Sequence, residues 1–113
     1  MEMIVHLDAD VFNVVDKGNK CIECRLYDEK RKKLSVGDQI TFIKRPENLD
    51  FIEAIVEDIR IYPDFNELVK DYSMDEMYLP SYTKEEFLEL LEKFYTREEQ
   101  EQYGVIAIKF KKI

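Results

Sequence analysis

Residues 18–27 read Gly-Asn-Lys-Cys-Ile-Glu-Cys-Arg-Leu-Tyr, and the order of their apolar and charged side chains predicts one strand of the fold. From position 22 onward the side chains alternate between two sides of the chain, as they do in a strand that buries one face. The apolar side carries Ile22, Cys24 and Leu26, and the other side carries Glu23, Arg25 and Tyr27. The glycine at position 18 favours a turn before the strand. The stretch therefore predicts a half-buried strand with a charged face.

The residues before this stretch predict a short strand and a helix. Apolar side chains from Ile4 to Leu7 are typical of the strand. Asp8 or Asp10 can cap the helix, and Gly18 is the usual kind of residue at a left-handed helix end. One helix face then carries Val11, Phe12 and Val15.

Three further strands are predicted C-terminal to residues 18–27. Gln39–Lys44 follows a turn, Phe51–Tyr62 is long and rich in β-branched residues, and residues 105–111 close the sequence. The apolar period slips midway through Phe51–Tyr62. A slip of this kind indicates a bulge, a bend or burial on both faces, as expected of a strand that wraps round a small barrel.

Helices are predicted between the last two strands. One begins after Pro63, and Thr83 and Thr96 each start a capping box with a glutamate three residues later. The helix after Thr83 is predicted to turn a set of large apolar residues to the core, namely Phe87, Leu88, Leu91, Phe94 and Tyr95. The fold class is therefore α+β: a small β-barrel of about five or six strands with about three or four helices packed around it.

The length of 113 residues predicts one domain over residues 1–113. No apolar run approaches the roughly 20 residues that a membrane-spanning helix needs, and the first residues lack the basic and apolar regions of a signal peptide. A cytoplasmic protein without a membrane partner is expected. Nothing in the sequence fixes the oligomeric state.

The net charge of −8 is unevenly distributed along the chain. Residues 17–45 carry nine Lys and Arg against four Asp and Glu, whereas residues 46–104 carry five against seventeen. The acidic part argues against sequence-independent DNA binding, but the basic part can still attract a phosphate because charges act mainly within about 8–10 Å. The run from Lys30 to Lys33, which includes Arg31, also fits a solvated loop without a ligand.

Cys21 and Cys24 form a C-x-x-C pair, which can indicate redox chemistry or half of a zinc site. Redox pairs open helices, whereas this pair overlaps a predicted strand, where residues three apart point to opposite faces. His6 is the only histidine, and it is predicted to be a packed structural side chain. Reduced thiols with no metal and no cofactor are therefore expected.

Lys20, Glu23 and Arg25 are the candidate site residues of the opening stretch. Lys20 and Glu23 can form an ion pair, or can share a proton if the site is dry enough to move either pKa toward neutrality. Arg25 would offer a planar fork to a phosphate or carboxylate. The alternative is a structural salt-bridge cluster on the barrel surface.

Tyrosines in and beyond this stretch are candidates for stacking on bases, as aromatic side chains do in single-stranded RNA sites. They are Tyr27, Tyr62 and Tyr103. The alternative for each is a place in the core or at the barrel rim.

Four pieces of the sequence, in this order, resemble the ASCH domain of the PUA-like superfamily. The pieces are Gly18-x-Lys20-x-x-Glu23-x-Arg25, Ser35-Val36-Gly37-Asp38, the run from Arg60 to Phe65 with Glu67-Leu68, and Tyr103-Gly104-Val105 before a terminal strand. The resemblance covers nearly the whole chain. It implies a small β-barrel with a cleft beside the Lys-Glu-Arg strand, and a role in binding RNA, a nucleotide or a modified nucleoside.

One branch of that family implies a metal-independent amidohydrolase that removes the acetyl group from acetylcytidine. Its pattern of a lysine, a threonine three residues later and a downstream glutamate falls on Lys20, Glu23 and Glu76 of this sequence. Glu23 thus replaces the threonine, whose hydroxyl can position a water or accept an acyl group. The catalytic candidates implied by the resemblance are these three residues.

Three classes of function remain open at the level of sequence. The favoured class is an RNA- or nucleotide-binding module, whose candidate ligand-binding residues are Lys20, Glu23, Arg25, Tyr27, Lys30, Arg31 and Tyr103. The second is the small amidohydrolase, and the third is a non-catalytic protein-interaction domain. The sequence does not identify the ligand.

Overall fold

The computed structural model describes residues 2–113 and contains five strands and five α-helices. The strands are β1 (Glu2–Leu7), β2 (Ile22–Leu26), β3 (Gln39–Lys44), β4 (Phe51–Tyr62) and β5 (Val105–Lys112). The helices are α1 (Ala9–Asp16), α2 (Phe65–Leu68), α3 (Met74–Met77), α4 (Lys84–Phe94) and α5 (Arg97–Tyr103), with 3₁₀ turns at Arg31–Lys33 and Val69–Asp71. The predicted α+β class is confirmed. Helices α2 and α3 are single turns, and α3, which was not predicted, brings the helix count to five.

All five strands form one curled sheet, a half-barrel, in the order β1-β3-β4-β5-β2. The β1–β3 pair is parallel and the other three pairs are antiparallel. Strand β4 shifts its register against β5 between Val56 and Asp58. This bulge accounts for the slipped apolar period of β4, because an extra residue moves the following side chains to the other face. Strands β1 and β2 are the two edges of the sheet.

The core has two parts. The first joins β1, α1, β3 and β4 with Ile106, Ile108 and Phe110 of β5. The second joins β2 with α2, α3 and α4, and takes Val105 and Ala107 from β5. Strand β5 therefore buries alternate residues in both parts and holds the two halves of the core together.

Capping boxes begin the last three helices. Ser73, Thr83 and Thr96 each accept a hydrogen bond from the backbone N–H of the glutamate three residues later, and each glutamate returns the bond. The two boxes predicted at Thr83 and Thr96 are confirmed. The box at Ser73 begins α3, a helix that was not predicted from the sequence.

Two side chains lie elsewhere than predicted. Phe94, expected in the core, is 69% exposed at the end of α4. His6, expected to be packed, lies on the exposed face of β1. Both line a cleft that is described below, so their exposure is a feature of the candidate site.

No helix among residues 2–113 is both long enough and apolar enough to cross a membrane.

Candidate functional site

Lys20 lies in the turn between Gly18 and β2, and its ammonium group is buried. Gly18 follows the end of α1 and has a left-handed backbone with a φ of +82°. This conformation, which glycine adopts readily, turns the chain toward β2. The Nζ atom of Lys20 donates to the carbonyl of Ile22, to the carbonyl of Met77 at 2.8 Å and to Oε1 of Glu23 at 3.1 Å. A lysine ammonium has three donors. All three are therefore satisfied within the protein.

Glu23 is the second residue of β2 and is also buried. Its Oε1 faces Lys20, while its Oε2 accepts from Arg25 through Nη2 at 2.8 Å and Nε at 3.2 Å. Burial raises the pKa of Glu23, but the charges of Lys20 and Arg25 and their hydrogen bonds outweigh burial and lower the pKa to about 2. The carboxylate is therefore ionised at neutral pH.

Arg25 completes the network, which we call the KER cluster (Lys20, Glu23 and Arg25). Besides its two bonds to Glu23, the guanidinium donates from Nη1 to the hydroxyl of Tyr95 at 3.3 Å. The charge of Glu23 is the main cause that raises the pKa of Arg25. A guanidinium has five N–H donors. Two of them have no partner among residues 2–113, and the side chain is 24% exposed.

The KER cluster forms part of the wall of a cleft of about 300 Å³. The end of β1 lines one side through His6 and Leu7, and β2 lines another side with the three residues Glu23, Cys24 and Arg25. Because β1 and β2 are the opposite edges of the sheet, the cleft occupies the open side of the half-barrel. Side chains from α4 and from the segment that follows α3 close it, namely Tyr78, Phe87, Leu90, Leu91 and Phe94, with Tyr95 just beyond α4.

The lining combines charges with aromatic rings. Lys20, Arg25 and Arg45 provide three cationic groups against the carboxylates of Asp8 and Glu23. Arg45 and Asp8 form a long ion pair of 3.8 Å at the exposed rim. Exposed pairs of this length contribute little to stability, so Arg45 can exchange Asp8 for another anion at low cost.

Two of the four phenylalanine and tyrosine rings of the cleft, Phe87 and Phe94, come from α4. Tyr78 stacks on Phe87 with their centroids 5.1 Å apart, and Tyr95 packs against Phe65 at 5.6 Å. Phe94 makes the mouth of the cleft apolar on one side. This wall was not predicted from the sequence, because aromatic residues at helical spacing normally indicate a core-facing surface.

The remaining predicted binding residues lie outside this cleft. Tyr27 packs beside the first part of the core, with the ammonium of Lys32 at 5.7 Å from its ring centroid. Lys30 is exposed, and Arg31 pairs with Asp28 at 3.1 Å. Tyr103 is half-buried beside the second part of the core. The structure thus brings together Lys20, Glu23 and Arg25 and separates them from Tyr27, Lys30, Arg31 and Tyr103.

Glu76, the third catalytic candidate, does not line the cleft. Its carboxylate accepts from the backbone N–H of Ser73 at 2.9 Å and from its hydroxyl at 3.1 Å, as the capping box of α3 requires. The backbone of Glu76 does contact the site, since its carbonyl accepts from the N–H of Cys21 at 2.9 Å. Its side chain has a structural partner, and the link to the site is through the main chain.

The two cysteines are free thiols. Burial raises the pKa of the Cys24 thiol to about 12 and also raises that of Cys21. No group of three or more His, Cys, Asp or Glu side chains within residues 2–113 is placed to hold a metal ion.

This geometry defines a class of small α+β domains: a half-barrel with a charged cleft between its edge strands, closed by a helix. Two solved structures at 30% identity or above share this fold along nearly their whole length. The crystal structure of hypothetical protein PH0355 is 32% identical, with full coverage of both chains and a TM-score of 0.83. The solution NMR structure of protein PF0455 from Pyrococcus furiosus is 30% identical, with a TM-score of 0.76, and the match covers 100% of this chain and 98% of that one.

The family itself is shown by a sequence model of the ASCH domain, which matches residues 5–113. The chain belongs to the ASCH domain family. A mutant ZmASCH protein from Zymomonas mobilis shares the fold at 16% identity and a TM-score of 0.61, over 97% of this chain and 67% of that one. The comparison with curated proteins found no match.

Proposed function

We propose that the cleft binds a nucleotide, either free or as part of single-stranded RNA. The observation that carries the proposal is the guanidinium of Arg25. Glu23 and Tyr95 fix its plane, and two donors remain for a ligand at the wall of the cleft. A fixed guanidinium of this kind is suited to a phosphate or a carbonyl group, because its donors match two acceptor atoms at once.

The rest of the cleft supports the same ligand class. Phe94 offers an exposed ring at the mouth, where a base can stack, and stacking on aromatic side chains is a common way to hold unpaired bases. Arg45 at the rim provides a second positive charge for a phosphate. The acidic surface elsewhere opposes nonspecific attraction of nucleic acids, which favours binding confined to the cleft.

Amidohydrolysis of an acetylcytidine-like nucleoside is the second candidate function. The KER cluster favours ligand binding over this hydrolysis. All three donors of Lys20 are engaged within the protein, and the pKa of Glu23 lies far below neutral pH. Neither group is therefore set to exchange a proton with a substrate at neutral pH. Incubation with acetylcytidine, followed by mass spectrometry, is expected to yield no cytidine. Release of cytidine by the wild type that is lost in Lys20→Ala would establish the enzyme instead.

The test of binding uses Arg25→Lys, which keeps the charge and removes the planar fork. We expect affinity for a fluorescently labelled single-stranded RNA, followed by anisotropy, to fall about tenfold. Arg60→Lys is the matched control. Arg60 also pairs with a carboxylate two residues earlier on a strand, Asp58 at 3.2 Å, but lies outside the cleft.

The same titration is repeated with cytidine and adenosine 5′-monophosphates. Binding that weakens in Arg25→Lys but not in Arg60→Lys supports the proposal. Absence of binding by the wild type to the RNA and to both nucleotides, or equal affinities for the wild type and Arg25→Lys, would overturn it.

A further inference from the structure

Strand β2 presents an open backbone edge, because it pairs only with β5. Two hydrogen bonds fix which residues face β5: the N–H of Phe110 donates to the carbonyl of Cys21 at 2.9 Å, and the N–H of Tyr27 donates to the carbonyl of Gly104 at 3.0 Å. The register between them is regular. In an antiparallel pair the backbone groups of successive residues point alternately toward the partner strand and away from it.

The residues between Cys21 and Tyr27 can be assigned from this alternation. Glu23 and Arg25 direct their N–H and C=O groups at β5, whereas Ile22, Cys24 and Leu26 direct theirs at the open edge. The carbonyl of Ile22 accepts from Lys20, as the assignment requires. Cys24 lines the cleft, and among the residues that the structure describes nothing bonds to its N–H or its C=O.

An unpaired backbone donor and acceptor in a half-enclosed cleft are costly unless a ligand or water bonds to them. The N–H and C=O of one edge residue also form a closely spaced pair, the pair that two antiparallel strands exchange. A planar partner with an acceptor beside a donor fits both groups at once.

We propose that the backbone N–H and C=O of Cys24, at the open edge of β2, bind the Watson–Crick edge of a nucleobase. The N–H donates to a ring nitrogen, N3 of cytosine or N1 of adenine, and the C=O accepts from the neighbouring amino group. The inference rests on the proposed nucleotide-binding function and identifies the base as the part of the nucleotide that the cleft recognises. Arg25 and Arg45 are then left for the sugar and phosphate.

An added peptide strand is the other partner that an open edge can take. Here one end of the edge is closed, because Lys20 covers the carbonyl of Ile22 and is itself bonded to the carbonyl of Met77 in α3. Leu26 does not line the cleft, which leaves Cys24 as the only outward residue of β2 there. The cleft volume of about 300 Å³ lies at the small end of ligand sites and suits one nucleoside better than an extended peptide.

The test removes the N–H of residue 24 without changing the fold. Incorporation of lactic acid at position 24 replaces that amide by an ester. The reference is Cys24→Ala, because lactic acid and alanine carry the same methyl side chain. The matched control is the α-hydroxy analogue of leucine at position 26, which also removes an outward N–H of β2 but lies outside the cleft. Thermal unfolding of each protein verifies that the fold is kept.

Affinities for cytidine and adenosine 5′-monophosphates are measured by NMR titration of ¹⁵N-labelled protein. We expect the ester at position 24 to weaken binding about tenfold relative to Cys24→Ala, and the ester at position 26 to leave it unchanged. We also expect 3-methylcytidine and 1-methyladenosine monophosphates to bind at least about tenfold more weakly than the parent nucleotides, because the methyl group blocks the ring nitrogen.

The outcomes separate the two proposals. Binding that depends on Arg25 but is unaffected by the ester at position 24 or by the methyl groups overturns the edge assignment and leaves nucleotide binding intact. Absence of binding to the RNA and to all nucleotides overturns both.

Discussion

Two strand pairs of the same chemistry lie in different surroundings in this molecule. On β2, Arg25 pairs with Glu23 two residues earlier, and on β4, Arg60 pairs with Asp58 two residues earlier. Glu23 is buried and has a second cationic partner in Lys20, whereas the side chains of Asp58 and Arg60 are 49% and 60% exposed. The surroundings of such a pair, rather than its residue types, therefore decide how much it contributes to folding stability. Exposed ion pairs contribute little, whereas the loss of one partner of a buried pair leaves a buried charge uncompensated.

Removal of the lysine from the buried cluster is expected to have the largest effect. Lys20→Met deletes three hydrogen bonds and leaves Glu23 with Arg25 as its only cationic partner. We expect the free energy of unfolding to fall by about 3–5 kcal/mol, as for other broken buried ion pairs. Chemical denaturation with urea measures it.

Arg60→Met is the control for this comparison, because it removes one cation from the exposed pair. We expect no measurable loss of stability. Equal destabilisation by Lys20→Met and Arg60→Met would show that burial does not distinguish the two pairs.

The pH dependence of stability is the second way to sharpen the comparison. The pKa of Glu23 is about 2 in the folded protein and about 4.5 when unperturbed. The ionised carboxylate therefore stabilises the fold fully when the pH is above about 4.5. This contribution, about 3 kcal/mol, is lost as the pH falls from about 5 to about 2. Other carboxylates titrate in the same range, so the measurement is a difference between variants.

Glu23→Gln is expected to lose less stability than the wild type as the pH falls, because it lacks the contribution of the Glu23 carboxylate. Asp58→Asn is expected to lose as much stability as the wild type. Urea unfolding at pH 7 and at pH 3 measures the difference. If Glu23→Gln loses as much stability as the wild type over this interval, the low pKa of Glu23 is wrong.

The smallest effect is expected at the outer end of the cluster. Tyr95→Phe removes the hydroxyl that accepts from Nη1 of Arg25 at 3.3 Å and keeps the ring. The expected loss of stability is about 1 kcal/mol, since the two bonds from Arg25 to Glu23 remain. Tyr82→Phe, on a half-buried ring outside the cleft, is the control. A loss as large as that of Lys20→Met would contradict this ranking.

Local signals in the sequence were sufficient for most of the fold. Gln39–Lys44 and Phe51–Tyr62 begin and end where they were predicted, because turns and prolines flank them. The two predicted capping boxes also begin helices. Helix α3 was missed because its four residues are too few to show a helical period, although Ser73 and Glu76 have the capping-box spacing that marked the starts of α4 and α5.

The candidate site was only partly predictable. Lys20, Glu23 and Arg25 could be grouped because they are neighbours in sequence, but the burial of Lys20 depends on the carbonyl of Met77, which is distant along the chain. The places of Arg45 and Phe94 at the cleft depend on how the sheet curls and where α4 crosses its open side. No local pattern carries that information.

Helix α3 is fastened to the start of β2 at two points, through the carbonyl of Glu76 to the N–H of Cys21 and through the carbonyl of Met77 to Lys20. A single turn of helix would fray readily by itself. Joined in this way, α3 and β2 should open together, and their amide hydrogens should exchange with solvent at similar rates. The wall that α3 supports is then ordered before any ligand arrives, so little conformational entropy is lost there on binding.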